Sequence, residues 1–325
     1  MNDVSILYLS GRDVESIGLG VGDTIASIED ALREKYFRRV EMPPKPGIHP
    51  EEDAFIHAMP AYIPKIGAAG IKWIAGYPQN PDRGLPYITG LLVLNDPRTG
   101  LPTCIMDARW ITAKRTGAVT AISAKHLAKE GSEVVGVIGC GVQGKSNLEA
   151  LASVFHTIRK VKAYDVVEAK LKQYIKFVGE CYGFETVCAK TPREVVEGSD
   201  IIVTATPILK KPSAIAHFRW VEEGGLVCPI EFDSYWDSDT FIGPDKLYTD
   251  DIQQLEYYKT VGRFFGVNRV EGELSELVAG ARVGRVNDKE RITIVNLGLA
   301  LADMAVAKAI YDNAVKKNIG TVLTY

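Results

Sequence analysis

Residues 134–144 read Val-Val-Gly-Val-Ile-Gly-Cys-Gly-Val-Gln-Gly. A short apolar run leads into Gly139-x-Gly141-x-x-Gly144, and a helical pattern follows. Strand, tight turn and helix in that order suit a dinucleotide pyrophosphate. Gly139 allows the turn, Gly141 lets the backbone approach the phosphates, and Gly144 lets helix and strand pack closely. The helix, starting near Gln143 with Leu148, Leu151, Ala152 and Phe155 on one face, directs its free N–H groups at phosphates. The next strand ends in Asp165, 21 residues after Gly144, where an acid binds ribose hydroxyls. Val166 follows, where NADP users often place arginine, so the pattern predicts NAD. Glycine triplets alone are common, and Asp165 could simply cap the next helix. The dinucleotide reading rests on the whole set.

Several charged residues sit where apolar patterning does not call for them. A helix is predicted over 112–128, capped by Thr112, with Val119, Ile122, His126 and Leu127 buried. Lys114 and Arg115 then fall in its first turn, where the helix dipole opposes cations. Local rules tend to break at functional sites, so Arg115 is read as an anion-binding group and Lys114 as a solvated neighbour. Lys45 follows two prolines in Met42-Pro-Pro-Lys45. Lys72 interrupts the apolar run 66–75, and a lysine in a buried strand needs a partner or a purpose. On an edge strand its ammonium would simply reach water. His57 is either a ligand contact or a core histidine. In Glu231-Phe232-Asp233-Ser-Tyr235-Trp236, two carboxylates beside three aromatics would suit an ammonium ion. The plainer reading is a polar loop with Asp233 as a cap. No nucleophile triad or clustered Cys/His pattern is readable, and no metal is predicted.

The elements that position these residues are legible in outline. Residues 4–9 read as an edge strand, Asp23 as the cap of a helix over 24–39, and 55–63, 67–75 and 87–95 as strands. Asp96-Pro-Arg-Thr-Gly100 is a turn, predicting a hairpin of 87–95 with 101–106. Strands at 134–138, 160–165, 185–188, 200–205 and 225–230 alternate with helices at 143–155, 168–180 and 192–197, the rhythm of a parallel sheet. A helix over 296–317 stops at Asn318-Ile-Gly320. A length of 325 residues predicts two domains. Apolar residues at 46% and charged residues at 24% are globular values, and a net charge of −3 with no basic stripe argues against nucleic acid. Five cysteines without a C-x-x-C pair predict reduced thiols and a cytoplasmic protein. Neither a signal peptide nor a membrane-spanning apolar stretch is seen, so no membrane partner is predicted.

Four passages resemble the ornithine cyclodeaminase/mu-crystallin family. They are Met42-Pro-Pro-Lys45 with His57-Ala-Met59-Pro60; Gly70-Ile-Lys72-Trp with Tyr77-Pro-x-Asn80-Pro and Gly84-Leu-Pro86; Leu94-Asn-Asp-Pro-x-Thr99-Gly100 through Arg115-Thr116-Gly117; and Gly139-Cys-Gly141-Val-Gln143 with Thr204-Ala-Thr206-Pro207. Gly298-Leu-Ala-Leu-Ala-Asp303 fits as well. The resemblance, nearest to the alanine dehydrogenase branch, implies an α/β fold. Residues 129–301 are then a Rossmann-type NAD-binding domain, and 1–128 plus 302–325 an α+β domain for substrate binding and dimerisation, in a homodimer. It implies a substrate carboxylate held by Lys72 and Arg115, with Lys45 exchanging protons and Asp233 as the catalytic carboxylate. His57 and Glu231 are further substrate-side candidates. Arg115, Thr116, Gly117, Gly139, Gly141, Val142, Gln143, Asp165, Val166, Thr204, Ala205, Thr206 and Asn296 are candidates for cofactor contact. The chain departs from the family pattern at His57, at Glu231-Phe232 and at Asn296. The expected activity is NAD-dependent dehydrogenation of a small amino acid, or reduction of its imine. A cyclodeaminase with Glu231 on a distal ammonium, and a non-catalytic NAD(P)H-dependent binding protein, are the alternatives.

Overall fold

The computed structural model describes residues 4–324 and divides into two compact units, one of residues up to Arg115 with Gly298 onward, the other Thr116–Leu297. The first begins with β1 (Ser5–Leu9), α1 (Gly11–Ile17) and α2 (Val21–Tyr36). It continues through β2 (Gly47–Ile48), β3 (Phe55–Ile63), β4 (Ala68–Gly76), β5 (Ile88–Asn95) and β6 (Pro102–Asp107). The predicted hairpin forms: β5 and β6 are antiparallel, and the turn closes with Asp96 accepting from the Gly100 N–H at 2.8 Å. Strand periodicity divides the sheet into two faces. Met59, Lys72, Leu92 and Met106 are cross-strand neighbours, and all four are buried. The next rows, Ala58–Trp73–Leu91 and Pro60–Ile71–Val93–Ile105, belong to the opposite face. There Trp73 is 48% and Leu91 47% exposed.

Helix α3 (Arg109–Leu127) starts three residues before the predicted position, which corrects the reading of Lys114 and Arg115. Asp107, at the end of β6, accepts the Arg109 N–H at 2.8 Å and pairs with its guanidinium. A carboxylate at a helix start complements free N–H groups and dipole. Lys114 and Arg115 therefore lie in the second turn, where the dipole has faded, and Lys114 Nζ sits 6.0 Å from the Trp110 ring centre. Likewise α2 starts at Val21 after Gly20, with Asp23 inside its first turn rather than capping it.

The second unit continues with β7 (Val134–Ile138), α4 (Val142–Val154), β8 (Lys160–Tyr164), α5 (Glu168–Tyr182), β9 (Glu185–Cys188), α6 (Pro192–Val196), β10 (Ile201–Thr204) and β11 (Leu226–Pro229). Then come α7 (Asp239–Ile242), β12 (Lys246–Thr249), α8 (Ile252–Thr260), β13 (Gly272–Glu273), α9 (Leu274–Val278) and β14 (Ile292–Val295). All eight strands pair in parallel, in the order β13-β12-β14-β11-β10-β7-β8-β9. The chain runs outward from β7 to β9, then returns to place β10 on the other side of β7. That reversal puts a ligand crevice at the carboxyl ends of β7 and β10. Neither β12 nor β14 falls within the regular strand–helix alternation that marks β7 to β11.

The chain then re-enters the first unit. Gly298 takes φ +84°, a left-handed conformation that ends the extended run and delays α10 (Ala300–Lys317) to four residues past the predicted start. Asn318 closes it in a left-handed cap, as the sequence suggests. Helix α10 packs on β3, β4, β5 and α2, covering the face that contains Lys72. The last strand, β15 (Thr321–Thr324), pairs with β1, so β1 lies between β15 and β6 and is not the predicted edge.

A Cβ on Gly117 would stand 2.3 Å from the Ser146 carbonyl oxygen, where α3 and α4 touch backbone to backbone. Gly117→Ala should cost about 1–3 kcal/mol through overpacking. Gly22→Ala, with nothing within 4 Å in the first turn of α2, should stabilise by about 0.5–1 kcal/mol. Thermal unfolding followed by circular dichroism should show shifts of opposite sign.

Candidate active site

In the first unit, α10 brings Asp303 over the buried face of the sheet. Its Oδ1 accepts from Lys72 Nζ at 2.7 Å and from Arg115 Nε at 3.0 Å. Lys72 and Asp303 are fully buried and Arg115 nearly so. Lys72 is thus no edge-strand lysine in water. It stands mid-sheet, and the only hydrogen bond of its ammonium among the described residues is the one to Asp303. The Arg115 guanidinium uses Nε alone for hydrogen bonding among the described residues. Its flank lies against Gly298, where a Cβ would meet Nη1 at 2.8 Å. The Gly298 carbonyl accepts from Lys45 Nζ at 3.3 Å. Two cations, Lys72 and Arg115, therefore share one oxygen of Asp303, and a third, Lys45, reaches the same short segment at the Gly298 carbonyl.

The electrostatic consequences are large. Burial, then the Arg115 charge, push Lys72 down to about 7, although Asp303 acts in the opposite sense. His57 falls to about 3, first through burial and then through the charges of Lys45, His49 and Lys72. It is a neutral imidazole at any physiological pH, stacked on Phe55 at 4.4 Å and packed against Gly47. A buried surplus of positive charge with unused N–H donors is costly unless an anion completes it.

In the second unit, the glycine loop fits a dinucleotide. A Cβ on Gly139 would lie 2.5 Å from the Ala205 oxygen, so the loops after β7 and β10 meet at the reversal of strand order. A Cβ on Gly144 would lie 2.3 Å from the Gly139 oxygen, whereas Gly141 has nothing within 4 Å. The tight turn, the close packing and the open approach thus fall to the three glycines separately. Gly141 caps α4 without any side-chain hydrogen bond, and Val142 at the helix start is 68% exposed. Asp165 binds the loop backbone, accepting from Cys140 N–H and Val167 N–H at 2.8 Å each. A carboxylate has lone pairs beyond these two, so ribose hydroxyls can still be accepted. Val166 is 81% exposed. Gln143 accepts from Asn147, and Asn296 donates to Ser123 at 3.1 Å. At the end of β10, Thr204 accepts from the Trp236 indole at 3.0 Å, while the Thr206 hydroxyl is buried without a partner.

The loop after β11 corrects one expectation. Phe232 and Trp236 do not form an open box for an ammonium ion; both are core residues of this unit. Phe232, at φ +66°, packs against Tyr258 and Phe264 at 4.8 and 5.9 Å between ring centres. Turning Phe232 inward leaves Glu231 and Asp233 with separate environments. Asp233 accepts from Arg263 Nη1 at 3.0 Å and from the Phe264 N–H at 2.7 Å. Glu231 is fully buried, and burial raises it to about 7. The Thr204 hydroxyl and the Thr206 N–H lie close enough to temper that rise, but neither carboxylate oxygen has a hydrogen bond of ordinary geometry. No cation adjoins it among the described residues.

Two residues of this arrangement escaped the sequence reading. Asp303 was visible only as the end of a family-like motif, since an acid in the first turn of a helix resembles any solvated residue there. Its signal was the apolar surround, Leu299, Leu301, Met304 and Ala305. Arg263, 30 positions from Asp233, had no signal at all.

A sequence profile of the ornithine cyclodeaminase/mu-crystallin family matches residues 7–318. The nodulation efficiency protein NfeD of Rhizobium meliloti is 38% identical, covering 98% of this chain and 99% of that protein. An archaeal alanine dehydrogenase dimer with bound NAD superposes with a TM-score of 0.88 at 36% identity, covering 99% of this chain and all of the other. The Δ1-pyrroline-2-carboxylate reductase of Thermococcus litoralis, in complex with NADH and L-proline, gives 0.88 at 31% identity, covering 97% and 99%. With a family profile spanning almost the whole chain, the loops and strand order above have their explanation: the chain belongs to the ornithine cyclodeaminase/mu-crystallin family.

Proposed function

We propose that this protein is an NAD(H)-dependent oxidoreductase acting on the Cα–N bond of a small α-amino acid or its imine. The observation that carries this reading is that buried Lys72 and Arg115 share a single oxygen of Asp303, with Lys45 on the adjoining Gly298 carbonyl. It calls for a small anion, and an α-carboxylate supplies one. Relatives that bind NAD with alanine dehydrogenase activity, or NADH with L-proline, support the same chemistry. The glycine loop, Asp165, Thr116–Gly117, Thr204–Thr206 and Asn296 are the residues we assign to NAD. Bound there, the coenzyme supplies a hydride acceptor or donor. The absence of arginine at Val166 favours NAD over NADP.

The chain's own groups do the rest. Lys72 Nζ and the Arg115 Nη groups hold the carboxylate by charge-assisted hydrogen bonds and fix the direction of Cα–H. Lys45 Nζ exchanges the proton of the amine or of attacking water. Asp233, oriented by Arg263 and Phe264, accepts a hydrogen bond from the substrate nitrogen as it gains iminium character. The cyclodeaminase alternative loses one support: Glu231, the residue on which a distal ammonium depended, is fully buried and makes no ion pair among the described residues.

We further propose a homodimer formed through the open face of the first unit's sheet. The rows around Trp73, Leu91, Ile71 and Val93 are apolar and only partly covered, with Trp73 48% and Leu91 47% exposed, and a second copy would cover them. No helix among the described residues is long and apolar enough to cross a membrane. Five free thiols fit a cytoplasmic setting.

Arg115→Ala should lower kcat/KM by about 100-fold or more for any amino acid oxidised with NAD, mainly through KM. Steady-state NADH formation against a panel of small amino acids measures this, with ammonia assayed in parallel. Ammonia release without net NADH would instead establish a cyclodeaminase. For the dimer, Trp73→Asp should yield monomers in sedimentation velocity while the isolated chain retains its helical signal.

A further inference from the structure

We propose that Asp303 is a positioning residue that keeps Lys72 protonated and aims Arg115, so that anion binding at this cluster is linked to proton uptake at Lys72. The inference rests on the carboxylate-binding reading above. Its basis is geometric. A single oxygen of Asp303 receives both cations, at 2.7 and 3.0 Å, and its other oxygen has no partner. A carboxylate used in this way restrains two donors while leaving their remaining N–H groups for a second anion. Among the described residues it also supplies the one negative charge acting on Lys72. From β3 comes neutral His57, from the neighbouring position of β5 the apolar Leu92, from α3 Arg115, and from the loop before β2 Lys45. All the other charges there are positive and favour the neutral amine.

The sign of the linkage follows. With the cluster empty, Lys72 loses its proton near neutrality, at about 7. An anion seated on Lys72 and Arg115 favours the ammonium and raises that midpoint. Between the two midpoints binding takes up a proton, and affinity falls up to tenfold for each pH unit of increase. Without Asp303 the empty-state midpoint moves to lower pH. Asp303→Asn should therefore bind the anion weakly at pH 8 yet recover towards wild-type affinity at pH 6.

The test reads Lys72 directly in the intact protein. Lysine labelled with ¹³C at Cε is titrated by NMR, and the Lys72 signal is assigned by its loss in Lys72→Met. Wild type should titrate near neutrality, Asp303→Asn at least one pH unit lower, and Asp303→Glu close to wild type. Adding L-proline with NADH should raise the wild-type midpoint. An unchanged midpoint in a folded Asp303→Asn overturns the proposal. Should that variant fail to fold, a wild-type Lys72 that titrates at an ordinary lysine pH, or an Asp303→Glu that does not hold the wild-type midpoint, overturns it equally. If the Asp303 effect is present but L-proline with NADH moves nothing, the positioning role stands and the assignment of these cations to a carboxylate substrate fails.

Discussion

The first unit is organised by one electrostatic constraint: a lysine in the middle of a covered sheet face cannot stay there without a negative partner. Lys72 takes a position that Leu92 and Met59 fill with apolar side chains in the adjacent strands. Burying its ammonium alone would cost several kcal/mol, enough to threaten a fold of ordinary stability. Asp303 answers this from α10. The helix that covers the sheet must therefore lie in the register that puts Asp303 over β4, and the chain must turn at Gly298 to start the helix there. The same turn presents the Gly298 carbonyl to Lys45 and a bare Cα to the Arg115 guanidinium. Packing, loop conformation and the placing of Lys45, Lys72 and Arg115 share one solution.

That arrangement is not built for stability. A buried Lys–Asp pair is commonly no better than an apolar pair of the same volume, and here the pair is unbalanced by a second cation, Arg115, on the same oxygen. One oxygen of Asp303 and several N–H donors are left unused. Groups that are buried, charged and incompletely satisfied persist where a ligand completes them. The second unit shows the same signature more mildly, at the carboxyl ends of β10 and β11. The Thr206 hydroxyl and the Glu231 carboxyl are buried without partners there, beside the glycine loop that marks the dinucleotide crevice.

How much of this could be read from the chain follows from the range of each interaction. The glycine triplet, the strand before it and Asp165 are local, and each residue acts within one loop, so their pattern survives in the sequence. The parallel sheet was legible as far as β11 because strands and helices alternate at regular intervals. Beyond it, β12 and β14 are separated by short elements and irregular chain that break the alternation, so their pairing is decided by neighbours rather than by propensity. The start of α3 was misread because its cap, Asp107, lies on the preceding strand. Phe232 was misread because an aromatic beside two carboxylates looks exposed until its left-handed backbone turns it inward.

Lys72 and Arg115 were conspicuous for breaking apolar patterning, but their partner was not. Asp303 is 231 residues from Lys72 and 188 from Arg115. No local rule links an acid on a terminal helix to a lysine on a strand at that separation. Charge alone gives half of the argument: a buried cation demands a counterion somewhere, and the search can be confined to acids within apolar helical stretches. Asp303 meets that condition within α10, flanked by Ala302 and Met304, both buried. The rule that exposes the need is local, while the residue that meets it is fixed only by the path of the chain back to its first sheet.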